Sequence, residues 1–115
     1  GAGVPESRSV GRGDVWLAEL PEQDPHPAVV ISRTDDNARR RKAIVAVVTS
    51  RFPPRRTSEI GLDERNGLEH PSIAQANELA TIRLGRLAER LGTLDTEQRG
   101  ALEAALRFVL DLDVS

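Results

Sequence analysis

The chain has 115 residues, a net charge of −2, no cysteine and two histidines. That length sets one domain with a modest core of its own. The absence of cysteine excludes a disulfide framework and a thiolate zinc site; two histidines without a His-Glu-x-x-His spacing make no metal cluster, and apolar runs of about half a dozen residues fall far short of the roughly 20 that cross a bilayer.

Residues 1–10 lack the apolar centre of a signal peptide and are expected as a flexible leader ahead of a domain at 11–115. A soluble, cytoplasmic protein is therefore expected. Residues 14–20 form the first predicted strand, with Trp16 as a core residue, stopped by Pro21. After a polar loop, Pro27 sits where a strand start tolerates its missing N–H, and residues 28–32 are nearly all apolar, as in a strand buried on both faces. Residues 33–42 are a polar connection with room for a helical turn at 35–39. Residues 44–49 carry Ile, Val, Val and Val, strong β chemistry.

Pro53-Pro54 and three arginines make residues 51–57 an exposed loop. A short edge strand at 58–62, a turn at 63–67 and a break at Pro71 follow, then two short strands or one bent strand over 72–76 and 78–82. Leu84, Leu87, Ala88 and Leu91 fit a short helix ending at Gly92. Asp95, Thr96 and Gln98 give a capped start to a second helix, whose stripe is Leu102, Ala105, Leu106, Val109 and Leu110. The fold class is α+β, a small barrel with appended helices.

Charge is unevenly spread. Residues 33–65 hold nine Lys and Arg against five Asp and Glu, whereas residues 1–32 and 87–115 are each net acidic by three. A local basic face attracts phosphates even on an acidic protein; solvated loop charge is the plainer reading of the same run. No Gly-rich phosphate loop and no Gly-x-Ser-x-Gly elbow occur. What remains is a set of groups near strand termini: His26 ahead of the second strand, Thr49 and Ser50 closing the third, with Arg12, Glu22 and Asp24 near strand ends in sequence. Phe52, beside the proline loop, is the aromatic placed to stack on a base.

Arg12-Gly13-Asp14-Val15-Trp16, Glu22-Gln23, His26-Pro27 and the apolar run to Ser32, residues 43–50, residues 72–87 with Thr81-Ile82 and Arg86-Leu87, and the Gly92–Leu94 lead into the last helix together resemble, in order and over most of the chain, the MazF/PemK family of toxin endoribonucleases. The resemblance implies a small SH3-like β-barrel with a C-terminal helix and short additional helices. It implies a homodimer that binds single-stranded RNA in a groove and cuts it without metal or cofactor, and an antitoxin whose disordered tail fills that groove. The implied reaction is attack of a ribose 2′-OH on the adjacent phosphate, leaving a 2′,3′-cyclic phosphate and a 5′-OH.

The family commonly has an Arg directly before the proline of the second strand and a Thr or Thr-Ser after the third. Thr49-Ser50 matches; at the other position stands His26. Either His26 replaces that Arg, or it is a preceding family His and the Arg is deleted. The candidate catalytic residues are His26, for proton transfer, and Thr49, donating to the phosphate. The candidate RNA-binding or phosphate-stabilising residues are Arg12, Glu22, Ser50, Arg51, Phe52 and Glu78, with Arg12 or Arg51 supplying the cation that His26 does not. Two other readings stand beside the nuclease: a toxin of this fold that acts by binding a protein such as gyrase, and a non-catalytic barrel that binds RNA or a peptide.

Overall fold

The computed structural model describes residues 9–112; the expected leader lies mostly outside the described residues. Val10, however, is buried among Trp16, Ala28 and Val30. Six strands, β1 (Asp14–Ala18), β2 (His26–Val30), β3 (Lys42–Thr49), β4 (Glu59–Leu62), β5 (Ser72–Arg83) and β6 (Leu87–Thr93), form one antiparallel sheet in the order β4-β5-β3-β2-β1-β6. Two helices, α1 (Thr34–Arg40) and α2 (Thr96–Val109), and 3-10 turns at Glu64–Asn66 and Leu84–Arg86 complete the chain. The sheet is curled into a half-barrel, the α+β architecture expected.

The curl comes from β5. Its first residues, Ser72 to Gln75, pair with β4, and Ile73 and Ala74 also pair with Thr49 and Val48 of β3; after a register shift opposite Val47, Leu79 to Arg83 pair with the rest of β3. A single bent strand is thus observed where two short ones or one bent one were expected. Its far end passes through the Leu84–Arg86 turn into β6, which pairs with β1 and draws the two flanks together.

Both faces of the central strands carry a core cluster, which is why β2 and β3 are largely apolar on both sides. Trp16, Ala28, Val30, Val45, Ile82 and Leu87 form one cluster. Val15, Val29, Val48, Leu62, Ala74 and Leu68 form the other, closed by Leu94, Leu102 and Ala105. The stripe expected on α2 therefore packs on the sheet through Leu102 and Ala105, with Leu106 and Val109 partly buried, while Leu110 is exposed.

The α2 start is capped as expected. The Asp95 carboxylate accepts from the Gln98 N–H at 2.7 Å, and the Gln98 amide oxygen accepts from the Asp95 N–H at 3.0 Å. The same Gln98 side chain is buried and exchanges hydrogen bonds with Asn66 at 2.8 and 3.0 Å, joining α2 to the turn beside β4. Asp95→Ala is expected to cost about 1 kcal/mol, seen as a lower urea midpoint at unchanged slope.

The helical turn expected at 35–39 is observed as a helix over Thr34–Arg40; Asp35 and Asp36 in its first turn and Arg39 and Arg40 in its last suit the helix dipole. One expectation is corrected. The segment read as a helix over Leu84–Gly92 is a 3-10 turn followed by β6. Its pairing with β1 shifts register twice, skipping Ala88 and Leu91, so apolar residues do not alternate as in a regular strand and mimic helical spacing. Gly92 ends no helix; it lets the Asn66 carbonyl pass where a Cβ would stand, 2.5 Å away.

Candidate functional site

The β1–β2 connection turns at Glu22, in a left-handed conformation, and returns to place His26 opposite Ala18. Pro27 pairs with Leu17 on that side. The ladder between β2 and β3 starts only at Ala28–Val47, since Pro27 has no N–H to extend it. The register of that ladder, continued two residues, sets His26 across from Thr49. Thr49 in turn is held on its other side by pairing with Ile73 of β5.

A cleft of about 570 Å³ opens at this end of the sheet. Its floor is apolar: Val48 and Leu68 are the surface of the α2-side core, joined by Leu17, Pro27 and Leu91. Its polar lining comes from His26, Thr49, Ser50, Ser72, Glu69, His70 and Glu89. The Ser72 hydroxyl donates to the His70 carbonyl at 2.9 Å. Imidazoles, hydroxyls and carboxylates on an apolar floor make a site able to move protons and donate to an oxyanion. No group of three or more His, Asp or Glu among the described residues is arranged to hold a metal ion.

The structure brings His26, Thr49 and Ser50 together and leaves the other candidates outside the lining of the cleft. Arg12 is at the opposite end of β1: its N–H donates to Thr34 Oγ1 at 3.1 Å and its guanidinium faces Glu103 at 3.8 Å. It thus stands outside the lining of this cleft. Glu22 is exposed in the turn before His26, and Glu78 is exposed where β5 bends. Phe52 is 48% exposed; its ring and Pro54 lie over Gly61, each 3.3 Å from where a Cβ there would stand.

Arg51 is ion-paired with the largely buried Glu59 carboxylate, which also accepts the N–H groups of Arg55 and Arg56. This clamp fixes the arginine loop to β4. The Arg51 guanidinium, and after it the Arg55 N–H, hold the Glu59 carboxyl down to about 2. A carboxylate depressed in the folded state adds stability that is present above its ordinary range and lost as the pH falls toward 2. Urea midpoints measured from pH 5 down to pH 2 are expected to fall less steeply for Glu59→Gln than for the parent.

The basic middle of the chain is not one face. Arg39 to Lys42 span the end of α1 and the first residue of β3, and Lys42 is roughly 23 Å along the strand from Thr49; Asp36 pairs with Arg39 and Arg40. Among the described residues, no lysine or arginine lines the cleft.

Residues 11–110 match the model of the PemK-like, MazF-like toxins of type II toxin-antitoxin systems. The chain belongs to that family. It is therefore a MazF-like toxin of a type II toxin-antitoxin system, and the SH3-like barrel implied by the sequence resemblance is confirmed in its half-barrel sheet. Solved structures agree. The Mycobacterium tuberculosis toxin MazF-mt6 is 26% identical, with a TM-score of 0.79 over 87% of this chain and 98% of that one. An endoribonuclease in complex with its cognate antitoxin, from a mycobacterial species, is 17% identical, with a TM-score of 0.82 over 92% and 99%. MazF from Deinococcus radiodurans is 21% identical, with a TM-score of 0.76 over 92% and 100%. No curated protein matches the chain.

Within this MazF-like toxin, the Gly-Asp-Val-Trp motif is a structural tie. Asp14 is buried, accepts from the Gly11 N–H at 2.8 Å and Trp16 Nε1 at 3.3 Å, and pairs with Arg90 at 3.2 Å. Gly13 takes a positive φ of 92°, and the Arg99 guanidinium occupies the space a Cβ would need. Sequence reasoning missed His70, Glu69, Ser72 and Glu89. The available signal was that His70, like His26, precedes a proline that leads into a strand.

Proposed function

We propose that this cleft cuts single-stranded RNA by attack of a ribose 2′-OH on the neighbouring phosphate, without a metal ion, leaving a 2′,3′-cyclic phosphate and a 5′-OH. The reaction needs a base for the 2′-OH, an acid for the departing 5′ oxygen, and donors for the pentavalent phosphorane. His26 moves a proton, and Thr49, with Ser50, donates to the phosphate. The observation that carries this reading is the placement of His26 and Thr49 at facing ends of neighbouring strands, lining one cleft. Phe52, exposed on the loop that continues from Ser50, offers a stacking face for a base beyond the scissile phosphate.

The active species in this proposal is a cytoplasmic homodimer that inhibits translation by cutting mRNA. Its inhibitor is a cognate antitoxin with a disordered acidic tail that occupies the RNA groove. The mycobacterial endoribonuclease solved with its cognate antitoxin supports that partner by likeness of fold. Arg55 and Arg56, exposed on the loop beside the cleft, are the cations such a tail would meet.

Purified protein incubated with a random RNA pool and a chelator tests the reaction. Fragments with 5′-OH ends and cyclic phosphates, concentrated at one short sequence, are expected. Intact RNA, or 5′-phosphate ends, would contradict it.

A further inference from the structure

The chain has only two histidines, and both line the cleft. They come from separate segments, 44 positions apart in sequence, yet each precedes a proline that leads into a strand: His26-Pro27 at β2 and His70-Pro71 ahead of β5. A residue before proline is held to extended backbone, and the Ser72 hydroxyl further ties the His70 carbonyl at 2.9 Å. Register places His26 across from Thr49, and Thr49 pairs with Ile73, three residues after His70. The two histidines thus come from the segments on either side of Thr49, and all three residues line one cleft.

From this geometry, and resting on the reaction proposed above, we infer that His26 and His70 form the proton-transfer pair of the cleft. As the O2′–P bond forms, one neutral imidazole takes the 2′-OH proton. As the P–O5′ bond breaks, the other, entering as imidazolium, gives its proton to O5′. The products are the cyclic phosphate and the 5′-hydroxyl, and exchange with water restores both rings. The imidazolium also meets a second need, since among the described residues no lysine or arginine lines the cleft to face the phosphorane charge. The other titratable groups facing the pair are Glu69, beside His70, and Glu89 on β6. His70 is exposed and serves no core contact that its replacement would remove.

The test uses an RNA carrying the cleavage sequence found by end mapping, with parent protein, His26→Gln, His70→Gln and His70→Ala, all checked for an unchanged melting temperature. The parent is expected to show a two-limbed pH profile of kcat/KM. Each His70 variant is expected to lose about 10²–10⁴-fold in kcat, with KM little changed and one limb of the profile gone. A substrate with sulfur in place of the bridging 5′ oxygen has a leaving group that needs no proton. It is expected to restore the rate of one of the two histidine variants and not the other. A parent that cleaves while both His70 variants retain its rate and profile would overturn the pair and leave the reaction standing. Rescue of neither variant, or of both, by the sulfur substrate would overturn it too. RNA left intact by the parent would instead overturn the proposed reaction itself.

Discussion

His26→Ala is expected to keep the fold and the affinity for RNA while losing about 10²–10⁴-fold in kcat, the span that a positioned proton-transfer group contributes. The reason is local. His26 is half-buried at the first position of β2, opposite Ala18, and makes no core contact of its own. Its removal leaves Pro27 to keep the strand start, and with it the parted ends of β2 and β3 that form the cleft. An effect confined to kcat follows from a group that acts only as bonds to phosphorus change. Single-turnover cleavage with saturating enzyme, set beside binding to a 2′-O-methyl RNA of the same sequence, measures the two quantities separately. Cleavage at the parent rate would remove His26 from the mechanism.

Gly67→Ala is expected to be the most damaging small substitution in the cleft wall. Gly67 has a φ of 86°, and a Cβ there would stand 1.9 Å from the Leu91 carbonyl oxygen of β6. The obstacle is backbone, so no rotamer change relieves it. Gly92 lies on the facing strand, 2.5 Å from the Asn66 carbonyl by the same measure. The two glycines let the 3-10 turn and β6 touch main chain to main chain, with Asn66 Nδ2 donating to the Thr93 carbonyl at 3.0 Å. Left-handed backbone in a non-glycine residue costs about 1–3 kcal/mol, and the collision adds to it. A drop in melting temperature of about 10 °C or more is expected. Because Leu68, Glu69 and His70 follow directly, cleavage should also fail at temperatures where the variant is still folded. An unchanged melting temperature would mean that the turn and β6 separate without cost.

Much of the fold was legible because β2 and β3 are buried on both faces and so are apolar throughout, and because Asp95 and Gln98 write their helix cap directly into the sequence. The misread segment, β6, fails for a definite reason: two register shifts against β1 break the alternation on which strand recognition rests. The site was legible at its strand ends and no further. Thr49 and His26 line one cleft because the β2–β3 register, continued two residues past Ala28–Val47, sets them at facing strand ends. Arg12 is close to His26 in sequence yet belongs to the other end of β1, beside α2. Arg51 is next to Ser50, but a buried carboxylate that sequence alone does not place there, Glu59, holds it. His70 went unseen because the chain reaches the cleft there through β5, whose pairing with β3 is long-range and shifted.

The most direct test of a shared scissile phosphate is an NMR titration of the protein with an uncleavable RNA, methylated at the attacking 2′ oxygen. The ring protons of His26 and the amide of Thr49 are predicted to shift together, with one dissociation constant, and to be perturbed again when sulfur replaces a non-bridging oxygen of the scissile phosphate alone. RNA that binds tightly while either residue stays unperturbed would contradict the account.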